Sequence, residues 1–127
     1  MLKIGCCGFP GGMNQYFKEF EVAEVQTTFY NLPRIETARN WRSKAPKIFE
    51  FAVKAWQGIT HPPTMPTWRR TRLQIPSDKL ECYGFFRPTE EVFEAWDRTR
   101  EICEALEARV CLAQCPARFE ASEAHLS

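Results

Sequence analysis

Short apolar segments alternate along the chain with longer amphipathic ones. Four short segments are rich in β-branched and aromatic residues or alternate in polarity, as strands do. They predict strands at residues 3–7, 22–29, 49–55 and 109–114. Between them, apolar residues recur at helical spacing, which predicts a short helix over 14–20, a second over 34–45 and a third after Thr89. Strictly alternating strands and helices predict a parallel sheet with right-handed crossovers.

The two longer helices carry recognisable start and stop signals. Pro33 precedes the second helix and Pro46 follows it, while Thr89 caps the third, whose first turn holds Glu90 and Glu91. The predicted inward stripe of the second helix is Ile35, Ala38, Trp41 and Ala45. The predicted inward stripe of the third is Val92, Trp96, Thr99, Cys103 and Leu106.

Residues 57–88 show no clear period and contain five prolines. They predict a long loop or insertion within one domain that covers residues 1–127.

Polar residues gather on one face of the predicted strands. Glu24, Gln26 and Thr28 share a face of the second strand, Lys54 lies on the third, and Gln114 ends the fourth. A doubly wound sheet is covered by helices on both faces and reads as nearly all apolar. The pattern therefore favours an α/β fold whose parallel (β/α) units form the first half of a TIM barrel, with a partly polar interior. The alternative is an interior polar network that only stabilises the barrel.

Composition and charge narrow the class of protein. The chain has 127 residues, of which 44% are hydrophobic and 26% charged, as in one soluble globular domain. No apolar run approaches a membrane span of about 20 residues, and the N-terminus has no signal-peptide pattern, so we expect a cytoplasmic protein. The net charge of +1 gives no global reason for a polyanionic partner. The six cysteines are expected to be free, buried thiols.

Three residues are candidates for catalysis. Glu24 is a possible general base, Lys54 an anion-binding or Schiff-base lysine, and His61 an acid or base where TIM barrels place their active sites. An ion pair between Glu24 and Lys54, and a loop histidine with a local hydrogen bond, are the structural alternatives. No second histidine lies near His61, so no metal site is predicted.

A second set of residues is expected to bind a ligand. Its members are Gln26, Thr28, Tyr30, Gln114, Arg69 and Arg70. The segment at 67–72 combines three arginines with Trp68, which suits phosphate contacts and base stacking. The alternative is a solvated basic loop whose tryptophan packs on the protein.

Four short motifs together resemble one protein family. They are GCCGF at 5–9, EVQTTFY at 24–30, FEFAVKA at 49–55 with ITH at 59–61, and QCPARF at 114–119. In this order they resemble the YecE-like TIM-barrel family, domain of unknown function family 72. The family often has Ser at position 7, Asn at 26 and Pro at 117, where this chain has Cys7, Gln26 and Ala117.

The resemblance implies a TIM barrel with a site at the strand C-termini, and no established activity. The family's later Ser-Trp and R-x-H-G segments are not found in this chain, and a full barrel needs about 250 residues. We therefore expect the N-terminal half only, either as a fragment or as a chain that self-associates or binds a complementing second half. Three functions stay open: an enzyme acting on an anionic small molecule or phosphoester, a nucleic-acid-binding protein, and an inactive truncated remnant. The sequence does not identify a cofactor.

Overall fold

The computed structural model describes residues 2–117. Helices are α1 (Met13–Glu19), α2 (Ile35–Lys44), α3 (Gln57–Thr60) and α4 (Glu90–Ala105). Strands are β1 (Cys6–Cys7), β2 (Val22–Val25), β3 (Glu50–Lys54) and β4 (Val110–Leu112). For the C-terminal tail the sequence allows two alternatives, a further helix or a frayed end. Residues 118–127 of this tail lie outside the described residues.

The four strands form one parallel sheet in the sequential order β1-β2-β3-β4. A doubly wound sheet has a point where the strand order reverses, and the described sheet has no such point. The predicted fold class is therefore confirmed: parallel α/β units follow one another as in a singly wound barrel. All four strands are shorter than predicted. β2 ends at Val25 and a 3-10 turn over Thr27–Phe29 follows it, because the chain there turns to pack against the end of β3.

The main core lies between one face of the sheet and helices α1, α2 and α4. Its buried members are Tyr16, Phe17, Ala23, Val25, Ala38, Phe49, Phe51, Val53, Ile102 and Leu106. Phe17 meets the ring of Phe49 edge-on at 4.7 Å, a favoured aromatic geometry. The Tyr16 hydroxyl joins β1 to β2, since it accepts from the Cys6 amide at 2.7 Å and donates to the Val22 carbonyl at 2.6 Å.

The opposite face of the sheet carries no helix among the described residues. Because side chains alternate along a strand, the residues that pair across the sheet at this face are Cys7, Val22, Glu24, Glu50, Ala52, Lys54, Val110 and Leu112. We call this set the open face. Glu24 and Lys54 lie on it, as the strand pattern predicts.

Helix α4 begins as predicted. The Thr89 hydroxyl accepts a hydrogen bond from the Val92 amide at 3.1 Å, which satisfies one of the free N–H groups of the first turn. The predicted stripe is partly wrong, because Trp96 is 43% exposed while Ala95 and Ile102 are buried. The buried stripe therefore passes through Ala95 and Ile102, so it lies one residue before Trp96.

Residues 57–88, for which the sequence predicts a long loop or insertion, contain no strand but are more ordered than a loop. They include α3 and two 3-10 helices, Pro66–Arg70 and Ser77–Cys82. Together with the residues just before them and the start of α4, they form a second buried cluster: Ala55, Trp56, Ile59, Trp68, Val92 and Ala95. This cluster covers the C-terminal end of β3, and so positions the side chains there.

All six cysteines are free thiols. The expectation that they are buried is wrong, because Cys7 is exposed and the other five are half-buried. Cys103 of α4 and Cys111 of β4 share a hydrogen bond, which lowers the pKa of Cys111 and raises that of Cys103.

Candidate functional site

Glu24 stands at the open face with its carboxylate held by two neighbours. The Cys7 thiol donates to its Oε2 at 3.2 Å, and the Gln26 side-chain amide donates to the same oxygen at 3.1 Å. The hydrogen bond to a carboxylate favours the protonated thiol, so the pKa of Cys7 is raised. Among the described residues no hydrogen bond falls on Oε1 of Glu24, so this oxygen is free to accept a proton or a ligand donor.

Lys54 ends β3 on the same face. Its ammonium nitrogen lies 4.3 Å from the centroid of the Phe29 ring, within the range of a cation–π contact. Within residues 2–117 no ion pair joins Lys54 to a carboxylate, Glu24 included. The simple Glu24–Lys54 pair that the sequence leaves open is therefore not formed, and the lysine charge is unneutralised.

His61 packs against the same aromatic ring. It is 9% exposed and meets Phe29 edge-on at 5.0 Å between ring centroids. Its Nδ1 lies 2.7 Å from the hydroxyl of the buried Thr60. Burial, followed by the positive charge of Lys54, lowers the pKa of His61 below its ordinary value. Phe29 thus brings together Lys54 and His61, two of the three predicted catalytic residues.

A turn at residues 84–86, with left-handed backbone conformation, packs against the main chain of His61. Gly84, Phe85 and Phe86 all have positive φ, which is uncommon for bulky residues. Their amides donate to the carbonyls of Gly58, Thr60 and Ile59 at 2.8–3.0 Å and so close the end of α3. A Cβ at Gly84 would lie 2.4 Å from the His61 carbonyl carbon. No sequence pattern pointed to this contact between distant segments.

Two predicted ligand-binding residues are placed differently from expectation. Thr28 does not share a strand face with Glu24, because it lies in the 3-10 turn after β2 and is fully buried. Its hydroxyl donates to the Lys54 carbonyl at 2.6 Å, so it fastens β2 to β3 rather than facing a ligand. Gln114 is exposed and lies beyond the end of β4 at Leu112, outside the strand pattern that grouped it with the open face.

Tyr30 and Arg70 lie together at the rim of the sheet. The Arg70 guanidinium carbon is 4.0 Å from the centroid of the Tyr30 ring. Both residues line a cavity of about 430 Å³ with Gln26 and several apolar side chains, and a neighbouring cavity of about 310 Å³ that Arg72 also lines. We call these two cavities, which share Thr27, Tyr30 and Arg70 in their linings, the rim pocket. It gathers three predicted ligand-binding residues: Gln26, Tyr30 and Arg70.

Comparison with known protein families identifies the family of this chain. The family described as "Protein of unknown function DUF72" matches residues 10–127, which is nearly the whole chain. The chain belongs to the DUF72 family. The predicted family resemblance is thereby confirmed, and the matched residues contain all of its motifs except the one at 5–9.

Individual relatives of this DUF72 chain are more distant. It is 29% identical over 76 residues to the UPF0759 protein YunF of Bacillus subtilis (strain 168), a match that covers 59% of this chain and 24% of that protein. Two crystal structures of a DUF72 family protein from Enterococcus faecalis V583 match 99% of this chain, with TM-scores of 0.65 and 0.64 at 19% and 16% identity. The chain covers 45% and 44% of those two chains, so it spans less than half of their length.

The basic segment of this DUF72 chain is only partly exposed. Trp68 is 8% exposed, packs against Trp56 and Tyr83, and donates from its indole nitrogen to the His61 carbonyl at 2.9 Å. It therefore has no free face on which a base would stack. Arg69 is exposed and does not line the rim pocket.

Other features of the described residues lie apart from this site. A cavity of about 880 Å³ opens at the N-terminal end of the strands, beside the 2.8 Å ion pair of Lys3 and Glu50. In TIM barrels that end of the strands serves stability, and the chemistry is at the other end. Within residues 2–117 no three His, Cys, Asp or Glu side chains gather as metal ligands, and no helix is long and apolar enough to cross a membrane.

Proposed function

We propose that the protein binds a small anionic molecule at the C-terminal ends of β2 and β3 and carries out proton-transfer chemistry on it. The observation that carries this proposal is the unneutralised Lys54 ammonium, held over Phe29 beside the neutral, buried His61. A phosphoester or a carboxylate is the substrate class that such a lysine suits.

Lys54 supplies the binding charge. The ring beneath it holds the ammonium without neutralising it, because an aromatic ring attracts a cation through its quadrupole and carries no net charge. An anion arriving at this face would therefore find a preorganised partner. Burial and this same charge lower the pKa of His61, so the ring is unprotonated at neutral pH and keeps a lone pair that can take a proton from a bound substrate.

Glu24 supplies a second proton acceptor on the same face. Cys7 and Gln26 orient its carboxylate through Oε2 and leave Oε1 available. A general base needs both a fixed position and a free lone pair, and Glu24 has both. The cytoplasmic location and the need for a complementing second half stay predictions.

The pKa of His61 provides the test of anion binding. An anion on Lys54 offsets the charge that depresses the pKa, so adding inorganic phosphate should raise the His61 pKa, measured from its ring C–H signals by NMR. Lys54→Met should raise the His61 pKa without phosphate and abolish the response to phosphate. Lys44→Met, at an exposed position in the last turn of α2, is the matched control and should behave as the parent chain.

Two results would overturn the proposal. One is a His61 pKa that does not change with phosphate in the parent chain. The other is a response of equal size in the Lys54→Met variant, which would place the anion elsewhere. The signals of His61 are assigned by their loss in His61→Gln, and those of His125 serve as an internal reference in the same spectra.

A further inference from the structure

We infer that the rim pocket is a separate binding site for an organic phosphate monoester, with the phosphate between Arg70 and Arg72 and the organic group in the apolar cavity beside them. Lys54, Glu24 and His61 do not line the pocket, and Gln26, which donates to Glu24, is the side chain that touches both sites. This inference goes beyond the proposed function and does not depend on it.

The Arg70 guanidinium is already placed for an oxyanion. One of its faces stacks on Tyr30 at 4.0 Å, which leaves the N–H edge available for in-plane hydrogen bonds. No Asp or Glu lines either cavity, and Arg70 has no carboxylate partner within the described residues. A guanidinium that is oriented but not neutralised is the donor that binds phosphate in a bidentate manner.

The backbone that carries both arginines is fixed by its neighbours. The Asn31 side chain donates to the Arg70 carbonyl at 2.9 Å and accepts from the Arg72 amide at 2.7 Å. The Thr71 hydroxyl donates to the Tyr30 carbonyl at 2.8 Å. These bonds tie residues 70–72 to residues 30–31, so little ordering is needed when a ligand binds.

The two cavities differ in chemistry, and the difference indicates the kind of ligand. The smaller is lined by both arginines, with Asn31 and Tyr30, whereas the larger is mostly apolar, with Phe9, Met13, Val25 and Trp41 around Gln26. Two guanidinium groups match the double negative charge of a phosphate monoester better than the single charge of a carboxylate. The apolar cavity, at about 430 Å³, is large enough for a ring-sized group.

The test uses phenyl phosphate as the probe and the full chain labelled for NMR. We expect titration to shift the amide signals of residues 30–31 and 70–72 and the indole signal of Trp41. Arg72→Gln should weaken binding about tenfold, as expected for loss of a charge-assisted hydrogen bond. Only the main-chain amide of Arg72 takes part in the fold, so this change leaves the loop intact. Arg70→Gln should weaken binding at least as much.

Arg69→Gln is the control for charge alone. Arg69 lies in the same basic segment but outside the pocket, so its loss should leave affinity unchanged. Lys54→Met should also leave the phenyl phosphate shifts at 30–31 and 70–72 unchanged, which separates this site from the proposed one. Equal weakening by Arg69→Gln and Arg72→Gln would overturn the inference, because it would show diffuse attraction to a basic surface.

Three further probes identify the part of the ligand that is recognised. Inorganic phosphate should bind more weakly than phenyl phosphate because it leaves the apolar cavity empty. Benzoate should bind more weakly because it carries one charge, and benzyl alcohol should not shift the signals of residues 70–72. Benzoate binding as tightly as phenyl phosphate would overturn the assignment to a phosphate monoester, and a phenyl phosphate titration without shifts in the pocket would overturn the site itself.

Discussion

At the scale of single residues, His61 combines burial with a neighbouring positive charge. Both lower its pKa, so the folded chain holds the ring neutral at a pH where the unfolded chain binds a proton. Because the unfolded state then binds more protons, the free energy of unfolding falls as the pH drops below about 6.5 and levels off below the folded-state pKa.

We therefore expect His61→Gln to lose less stability than the parent chain between about pH 7.5 and about pH 5.5 in urea unfolding. His125→Gln is the control and should keep the parent's pH dependence. Parallel stability curves for the parent and His61→Gln would show that His61 titrates normally in the folded chain.

The sequence predicts part of the candidate site at this scale. Period-two alternation places Glu24 and Lys54 on the same face of the sheet, because side-chain direction in a strand depends only on local geometry. Phe29, which joins Lys54 to His61, could not be predicted, since its contacts depend on the 3-10 turn that ends β2 early. Alternation fails for Thr28 for the same reason.

At the scale of elements, the segment at 57–88 is held in place by Trp68. This side chain packs between Trp56 and Tyr83 and donates to the His61 carbonyl. Trp68→Ala should destabilise the chain by about 3–5 kcal/mol in denaturant unfolding, since truncating a buried tryptophan loses contacts and leaves a cavity. Trp96→Ala is the matched control and should cost far less, because Trp96 is 43% exposed.

An effect of Trp68→Ala no larger than that of Trp96→Ala would argue against this packing. It would also reopen base stacking as the role of Trp68. If Arg69, Arg70 and Arg72 bind nucleic acid, the affinity for an oligonucleotide should fall steeply as the salt concentration rises.

Helix and strand positions were predictable where local signals act within one element. The Thr89 cap, the prolines around α2 and the apolar strands depend on neighbours a few residues away. The order within residues 57–88 depends instead on contacts with the start of α4 and the end of β3, which no local period encodes. Strand lengths were overestimated because the ladder of a parallel strand ends where its neighbour ends.

At the scale of the whole molecule, the open face exposes two apolar side chains at its β4 edge. Val110 is 59% exposed and Leu112 is 45% exposed on β4, which is also an edge of the described sheet. Exposed apolar side chains next to unpaired strand hydrogen-bonding groups favour association with another chain. We therefore expect the chain to self-associate, or to bind a complementing partner, through this apolar edge.

The last prediction concerns this association. Light scattering on the chain by itself should give a mass above the 14.8 kDa of one copy, and the mass should rise with protein concentration. Replacing both Val110 and Leu112 with lysine should lower the mass, because inward-pointing charges on an edge strand oppose pairing. Leu73→Lys, which removes an exposed leucine from the loop, should leave it unchanged. A single species of 14.8 kDa at every concentration would contradict the prediction and show that the chain is a monomer with its open face exposed to water.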